Sequence, residues 1–264
     1  MPSVPGRIRV EDRGHVRILT IDNPGKRNAF DYGSLAELSE ACARAAVDGV
    51  RCLVVRGAGE QAFSAGFDID AMEGDGPGGD RPDLATERAM EAVGSVPCPT
   101  VAFVNGAAFG AGCELAATCD LRIASEGARL AMPPAKLGVV YAAAGIRRFL
   151  ALVGPAHTRE MFFTGRPIDA AKALSIGLVD RVAPPADAEA AALALAEEIA
   201  GNAPIAVQGM KRILRLLEAS HERGLTDAER DEVAALRSRA FDSDDLREGR
   251  AAWAARRPPR FRGA

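Results

Sequence analysis

The chain is poor in histidine and in paired cysteines, and both shortages narrow its chemistry. It has three histidines and no Gly-x-Ser-x-Gly turn, which excludes the usual form of a Ser–His–Asp triad. Its five cysteines form no Cys-x-x-Cys pair, and their odd number speaks against a disulfide framework. No cluster of His, Cys and Asp has metal-ligand spacing, so we expect no metal site.

Charge of one sign and long apolar runs are also lacking. The formal net charge is −3, so no basic field points to nucleic acid. No apolar stretch approaches the ~20 residues that cross a bilayer, and residues 1–10 lack an apolar signal core. We expect a cytoplasmic protein with reduced, mostly buried cysteines, and neither a nucleic acid nor a membrane as partner.

The first half of the chain alternates strand and helix patterns. Apolar runs predict strands at 16–21, 52–55, 100–104 and 121–124, and Ser34 is the predicted N-cap of a helix that ends near Gly49. Such alternation favours an α/β fold with repeated crossover connections. A glycine-rich stretch at residues 73–80 offers little that can pack and predicts a mobile loop.

From Gly145 onward the pattern is nearly all helix. Pro155 suits a first helical position, and Asp169 can cap a helix that stops at Gly177. Further helices are predicted at 186–200, 205–217, 226–241 and 244–256. We therefore divide the chain into a core at residues 1–200 and a helical region at 201–264 that builds oligomer contacts.

Two small-residue turns carry most of the functional information. They read FSAGFDI at residues 63–69 and GAAFGAGCEL at 106–115, and each follows an apolar strand pattern. Backbone N–H groups in such turns can converge on one oxygen and hold negative charge there. Glu114 is either a carboxylate that stabilises a helix N-terminus or, among small apolar neighbours, a base whose pKa burial raises.

These turns and several further segments resemble the crotonase family (enoyl-CoA hydratase/isomerase). The resemblance covers nearly the whole chain. It includes NPGKRNA at residues 23–29, CDL at 119–121, FTGRPIDA at 163–170, ALSIGLV at 173–179 and DSDDLREG at 242–249.

The resemblance implies a crotonase-like spiral of ββα units with a helical C-terminal trimerisation region, assembled as a homotrimer or homohexamer. It implies acyl-CoA thioester substrates and no permanently bound cofactor, with coenzyme A arriving as part of the substrate. By position, the amides of Phe67 and Ala111 would form an oxyanion hole, with Glu114 as the base. The positions matching the substrate and coenzyme A site are Lys26, Arg27, Ala29, Ala65, Gly66, Asp68, Ile69, Gly110 and Pro134.

One departure from the family pattern leaves the reaction open. Typical hydratases use a second glutamate where this chain has Pro134, and no acid lies between Glu126 and Glu160. A single base suits double-bond isomerisation, because it can remove a proton at one carbon and return it at another. We expect an enoyl-CoA hydratase/isomerase with a single catalytic glutamate. The segment around Tyr141 is similar to the methylmalonyl-CoA decarboxylase branch, so decarboxylation is an alternative, although Phe67 replaces a histidine of that branch.

Three further alternatives remain at this stage. Tyr141 is either part of the site or a core residue with a satisfied hydroxyl. Asp68 and its neighbour Asp70 are either ligand-binding or turn-stabilising carboxylates. The whole chain can also be a catalytically silent member that only binds coenzyme A esters.

Overall fold

The computed structural model describes residues 6–72, 76, 80–221, 227, 228, 231, 234, 235, 238 and 241–257. Its elements begin with four strand–strand–helix units. These are β1 Arg7–Arg13, β2 Val16–Asp22 and α1 Tyr32–Val47; β3 Cys52–Gly57, β4 Ala62–Ser64 and α2 Pro82–Ser95; β5 Thr100–Val104, β6 Ala107–Phe109 and α3 Ala111–Thr118; β7 Leu121–Ser125, β8 Arg129–Ala131 and α4 Ala143–Thr164.

The rest of the described chain is mainly helical, with two short strands. Its elements are β9 Ile168–Asp169, α5 Ala170–Ser175, β10 Arg181–Ala183, α6 Pro185–Gly201, α7 Pro204–His221 and α8 Asp244–Ala254. Most of the predicted loop at 73–80 and most of the predicted helix at 226–241 lie outside the described residues.

The strands form two sheets, and from the second unit onward each unit contributes one strand to each. The larger sheet has the order β1-β2-β3-β5-β7-β10, and only its β1–β2 pair is antiparallel. The smaller sheet has the order β4-β6-β8-β9, with β4, β6 and β8 parallel. This arrangement confirms the predicted α/β spiral of ββα units.

Both faces of the central strands β2, β3, β5 and β7 of the larger sheet are buried, as the continuous apolar runs predict. On β3, Leu53 and Val55 face the main core, while Cys52 and Val54 face a second apolar cluster. Small alanines of α6, among them Ala188 and Ala192, cover that second cluster. Two layers of helix therefore hold the larger sheet between them. Gly66 and Gly110 follow the ends of β4 and β6, which belong to the smaller sheet.

Several predicted boundaries were wrong. The N-cap of α1 is Asp31, because its carboxylate accepts the Ser34 amide at 2.7 Å; Ser34 is the third helical residue of a capping box. The C-terminal half is not continuous helix, since β9 and β10 interrupt it. Strands β4, β6 and β8 have three residues each, too few for a periodic signal.

Other local predictions are confirmed. Gly154 has φ 71° and breaks α4, and Pro155 opens the helical segment that follows. Asp169 caps α5 by accepting the Lys172 amide at 2.8 Å. Gly177, at φ 79°, follows the end of that helix and takes the left-handed conformation that suits glycine.

A buried lysine attaches α7 to the core. Lys211 is 8% exposed, and its Nζ donates to the Cys98 carbonyl at 2.9 Å and to Asp120 Oδ2 at 2.7 Å. Asp120 also accepts the amide and hydroxyl of Thr100. The network ties the C-terminal helices to the beginning of β5.

Across the described ranges, no single helix has the length and apolar character needed to cross a membrane. Two successive helical segments of the described chain, Pro185–Gly201 and Pro204–Arg215, reach that length and apolar character only when they are taken together. This holds by length and composition alone, and the two segments are bent by 105° relative to each other.

Candidate active site

The two glycine turns touch each other backbone to backbone. Gly66 has φ +94°, and a Cβ there would lie 2.7 Å from the Phe109 carbonyl oxygen and 3.3 Å from the Ala111 nitrogen. A Cβ on Gly112 would lie 2.3 Å from the Ser64 carbonyl oxygen. Only glycine fits at these two positions. The two turns can come this close because neither glycine carries a side chain.

A cavity of about 170 Å³ opens where the turns meet. Most of the predicted site residues line it: Ala65, Gly66, Phe67, Ile69, Gly110, Ala111, Glu114, Pro134 and Tyr141. Phe241 and Trp253 of the C-terminal part also reach the wall. Within the described ranges, no group of three or more His, Cys, Asp and Glu residues is placed to hold a metal ion.

The amides of Phe67 and Ala111 are available to a bound molecule. Phe30 donates to the Gly66 carbonyl at 2.8 Å and accepts from the Asp68 amide at 2.7 Å, which holds the chain on both sides of Phe67. Among the described residues, neither the Phe67 nor the Ala111 amide has a backbone or side-chain acceptor. Ala111 has no positive φ, so its side chain causes no backbone strain there.

Glu114 is 3% exposed and lies in the first turn of α3. The Tyr141 hydroxyl donates to its Oε2 at 2.6 Å, and the Arg148 guanidinium donates to its Oε1 at 2.7 Å. Burial raises the pKa of Glu114, and the Glu87 charge adds to this, while Tyr141 and Arg148 oppose it. Burial and the neighbouring Glu114 raise the pKa of Tyr141 well above its usual value, so its phenol remains a donor.

Sequence reasoning missed Arg148 and the role of Gly145. A Cβ on Gly145 would lie 2.6 Å from Tyr141 Cε1 and 2.7 Å from Glu114 Oε1, so the glycine makes room for this pair. Gly145 and Arg148 are three residues apart and lie on one side of α4, and Tyr141 stands just before that helix begins. That spacing was the available signal, although only the fold brings it to Glu114.

The predicted residues Lys26, Arg27, Ala29 and Asp68 lie beside the cavity and do not form its wall. The Ala65 amide donates to the Arg27 carbonyl at 3.0 Å, which joins their segment to the first glycine turn. Lys26 Nζ pairs with Asp68 at 2.5 Å and with Asp70 at 3.1 Å. Asp68 also accepts the Asp70 amide at 3.2 Å, as expected of a turn-stabilising carboxylate.

Pro134 is buried, begins a 3₁₀ turn, Pro134–Leu137, and adds no carboxylate to the wall. Two acids reach the cavity from another element: Asp83 and Glu87 of α2 both line it. No sequence pattern selects these two acids, because α2 precedes the second glycine turn and its charges are typical of an ordinary solvated helix face.

Comparison with known proteins agrees with this geometry. The spiral of ββα units and the two glycine turns that meet at one cavity are typical of a crotonase-type protein. The family model "Enoyl-CoA hydratase/isomerase" matches residues 11–264. A "Putative enoyl-CoA hydratase" of Thermus thermophilus is 38% identical over 95% of this chain and 98% of its own. The carnitinyl-CoA dehydratase of Proteus mirabilis is 35% identical, over 97% and 98%.

A solved structure is similar throughout. Methylmalonyl CoA decarboxylase complexed with 2S-carboxypropyl CoA superposes with a TM-score of 0.88 at 28% identity, covering 97% of this chain and 98% of that one. The chain belongs to the enoyl-CoA hydratase/isomerase family, and the crotonase resemblance is confirmed.

Proposed function

We propose that this chain forms a thioester enolate from an acyl-CoA, with Glu114 moving a proton at carbon 2. One observation carries the proposal: a buried carboxylate with a raised pKa shares a cavity with two amides that have no acceptor among the described residues. A group that takes and returns a proton in one cycle works best with a pKa near the operating pH, and burial moves Glu114 in that direction.

The amides of Phe67 and Ala111 are the proposed oxyanion donors. When Glu114 takes the proton from carbon 2, the electron pair moves onto the thioester oxygen, and the two N–H groups stabilise that charge. Loss of one such donor typically costs about 3–4 kcal/mol of transition-state stabilisation. Tyr141 and Arg148 keep both oxygens of Glu114 in place between proton removal and return.

The reaction that needs least from this site is the shift of a double bond. Glu114 takes a proton from carbon 2 of a 3-enoyl thioester and returns it to carbon 4, so one carboxylate serves both steps. No second acid is required at Pro134. We therefore propose an enoyl-CoA hydratase/isomerase with Glu114 as its single catalytic glutamate, in which isomerisation is the basal activity.

Decarboxylation is a second candidate. Loss of CO₂ from a malonyl-type thioester produces the same enolate and uses the same two amides. It is favoured by the likeness to methylmalonyl CoA decarboxylase, a structure that holds 2S-carboxypropyl CoA, and by Tyr141 on the cavity wall. The apolar Phe67, where that branch carries a histidine, favours the first candidate.

Coenzyme A enters this proposal only as part of the substrate, with no permanently bound cofactor. Lys26, Arg27, Ala29 and Asp68 would contact the coenzyme A portion outside the cavity, and Ile69 would contact it from the cavity wall. Lys26 is held there by Asp68 and Asp70, so a phosphate group would compete with two carboxylates for its ammonium. Reduced, buried thiols support a cytoplasmic location.

We also propose that residues 201–264 assemble the chain into a homotrimer or homohexamer around the core at 1–200. Helix α7 exposes an apolar face that includes Ile205, Met210, Ile213 and Leu214. Contiguous exposed apolar surface of this kind marks interaction sites.

The proposal is tested by incubating the protein with a saturated acyl-CoA in D₂O and measuring by mass spectrometry how fast the carbon-2 hydrogen is replaced by deuterium. This test works whichever overall reaction the protein catalyses. Glu114→Gln keeps the size and polarity of the side chain but removes the base. We expect it to abolish exchange, while Glu126→Gln, an exposed glutamate outside the cavity, leaves it unchanged.

Product analysis with 3-enoyl-CoA, crotonyl-CoA and methylmalonyl-CoA then separates isomerisation, hydration and decarboxylation. Exchange by Glu114→Gln at the wild-type rate would contradict the assignment of the base. A chain that binds a coenzyme A ester but gives neither exchange nor product is a silent member of the family.

A further inference from the structure

Helix α2 brings two carboxylates to the cavity. Pro82, Asp83, Thr86 and Glu87, from its first two turns, form part of the wall. Asp83 and Glu87 are four residues apart and therefore lie on the same face of the helix. Glu87 and Glu114 line the same cavity, and the negative charge of Glu87 contributes to the raised pKa of Glu114.

Of these two acids on α2, Asp83 forms an ion pair with Arg81. Its oxygens accept from Nε and Nη2 of Arg81, both at 3.1 Å, and Arg81 stacks over the Phe241 ring at 4.2 Å. Asp83 thereby helps to attach the chain near Phe241 to the start of α2. Glu87 lies one turn further along, is partly buried and also lines the cavity, and its charge acts on Glu114.

We propose that Glu87 is a catalytic residue that activates water, so that the site hydrates 2-enoyl thioesters in spite of Pro134. The inference rests on the proposed function and extends it from proton transfer within the substrate to addition of water. Glu87 and Glu114 would form the acid–base pair of a hydratase, with one member on α2 rather than on the segment after β8.

In the proposed hydration, each carboxylate moves one proton. Glu87 accepts a proton from water as the water oxygen bonds to carbon 3 of the substrate. The electron pair of the carbon 2–carbon 3 double bond moves to the thioester oxygen, where the Phe67 and Ala111 amides hold it. When the enolate collapses, carbon 2 takes a proton from the Glu114 carboxylic acid. Transfer of the proton from Glu87 to Glu114 through solvent restores the starting state.

The charges and burial of the site fit the roles of Glu87 as the base that activates water and Glu114 as the acid that protonates carbon 2. Two like charges that share a cavity favour a state with one proton between them. Glu114 is 3% exposed and Glu87 only partly buried, so burial removes more hydration from Glu114 and raises its pKa, which suits Glu114 to the role of the acid in this step. The groups that act on Glu114 are Tyr141, Arg148 and Glu87, and the first two orient it without taking the proton.

The test compares hydration of crotonyl-CoA with carbon-2 exchange in the same preparations. Glu87→Gln is expected to slow hydration about 10²–10⁴-fold in kcat, as for loss of a positioned base. Exchange depends on Glu114 and falls far less, so the ratio of hydration to exchange drops. Without the Glu87 charge the pKa of Glu114 falls, and the acidic limb of the exchange profile moves to lower pH. Glu91→Gln, one turn further on, is the matched control, because Glu91 is exposed outside the cavity.

The outcomes separate the two claims. Hydration by Glu87→Gln at the rate of Glu91→Gln, or a wild-type chain that exchanges but does not hydrate, overturns the role of Glu87 and leaves the enolate proposal intact. Exchange by Glu114→Gln overturns the proposed function itself. If Glu87→Gln does not fold, Glu87→Asp retains the carboxylate on a shorter arm; full hydration by that variant supports the role, and loss of exchange together with hydration contradicts it.

Discussion

Replacing Gly145 by alanine tests the Glu114 geometry, because the added methyl group would press against both Glu114 and Tyr141. An alanine Cβ would lie 2.6 Å from Tyr141 Cε1 and 2.7 Å from Glu114 Oε1. Favourable carbon contacts are at about 3.5–4.0 Å, so both side chains would have to retreat by roughly 1 Å. Gly145→Ala therefore displaces the proposed base without removing it.

The consequences for folding and for catalysis differ in size. Overpacking of this kind costs about 1–3 kcal/mol, and replacing a helical glycine by alanine returns about 0.5–1 kcal/mol, so the loss of stability is modest. A misplacement of about 1 Å, in contrast, can cost ~10²-fold in rate. We expect carbon-2 exchange to fall about a hundredfold in a protein that still unfolds cooperatively.

Exchange rates and thermal unfolding, measured on the same samples, check this prediction. Gly201→Ala is the matched control, since it adds the same methyl at the end of α6 with nothing within 4 Å. Wild-type exchange by Gly145→Ala would refute the reasoning, because it would mean that Glu114 and Tyr141 need not hold the positions that the structure gives them.

Three further changes test other parts of the account. Tyr141→Phe removes a donor that lowers the pKa of Glu114; since exchange requires the unprotonated base, its acidic limb should move to higher pH, and an unmoved limb would count against the contact. Lys211→Met leaves Asp120 without its ammonium partner and should cost about 1–3 kcal/mol in the free energy of unfolding by urea; no change would mean that the network is not stabilising. Ile213→Asp places a charge on the exposed face of α7 and should yield smaller particles in light scattering, whereas an unchanged mass would place the interface elsewhere.

The central strands could be predicted from the sequence because each is a continuous apolar run buried on two faces. Strand β1 could not: most of its residues are exposed, so it lacks an apolar pattern and is held by its register with β2. The start of α1 shows a signal that was misassigned. Asp31 stands three residues before Ser34, and the pair forms a capping box in which Ser34 is the inner member.

The candidate site was predictable where its residues are contiguous in sequence. The glycine turns and Glu114 lie within short segments, and the structure brings both turns to one cavity. Arg148 and Glu87 were missed for a common physical reason. Their side chains reach Glu114 or its cavity only after α4 and α2 have packed beside α3, and no local pattern in the sequence encodes that packing.

The measurement closest to the central claim is a crystal structure with an unreactive coenzyme A thioester in the cavity. The account predicts a thioester oxygen at 2.7–3.1 Å from the amide nitrogens of both Phe67 and Ala111. It also predicts a Glu114 oxygen about 3–3.5 Å from carbon 2. A thioester oxygen bound away from both amides, or carbon 2 facing away from Glu114, would contradict it.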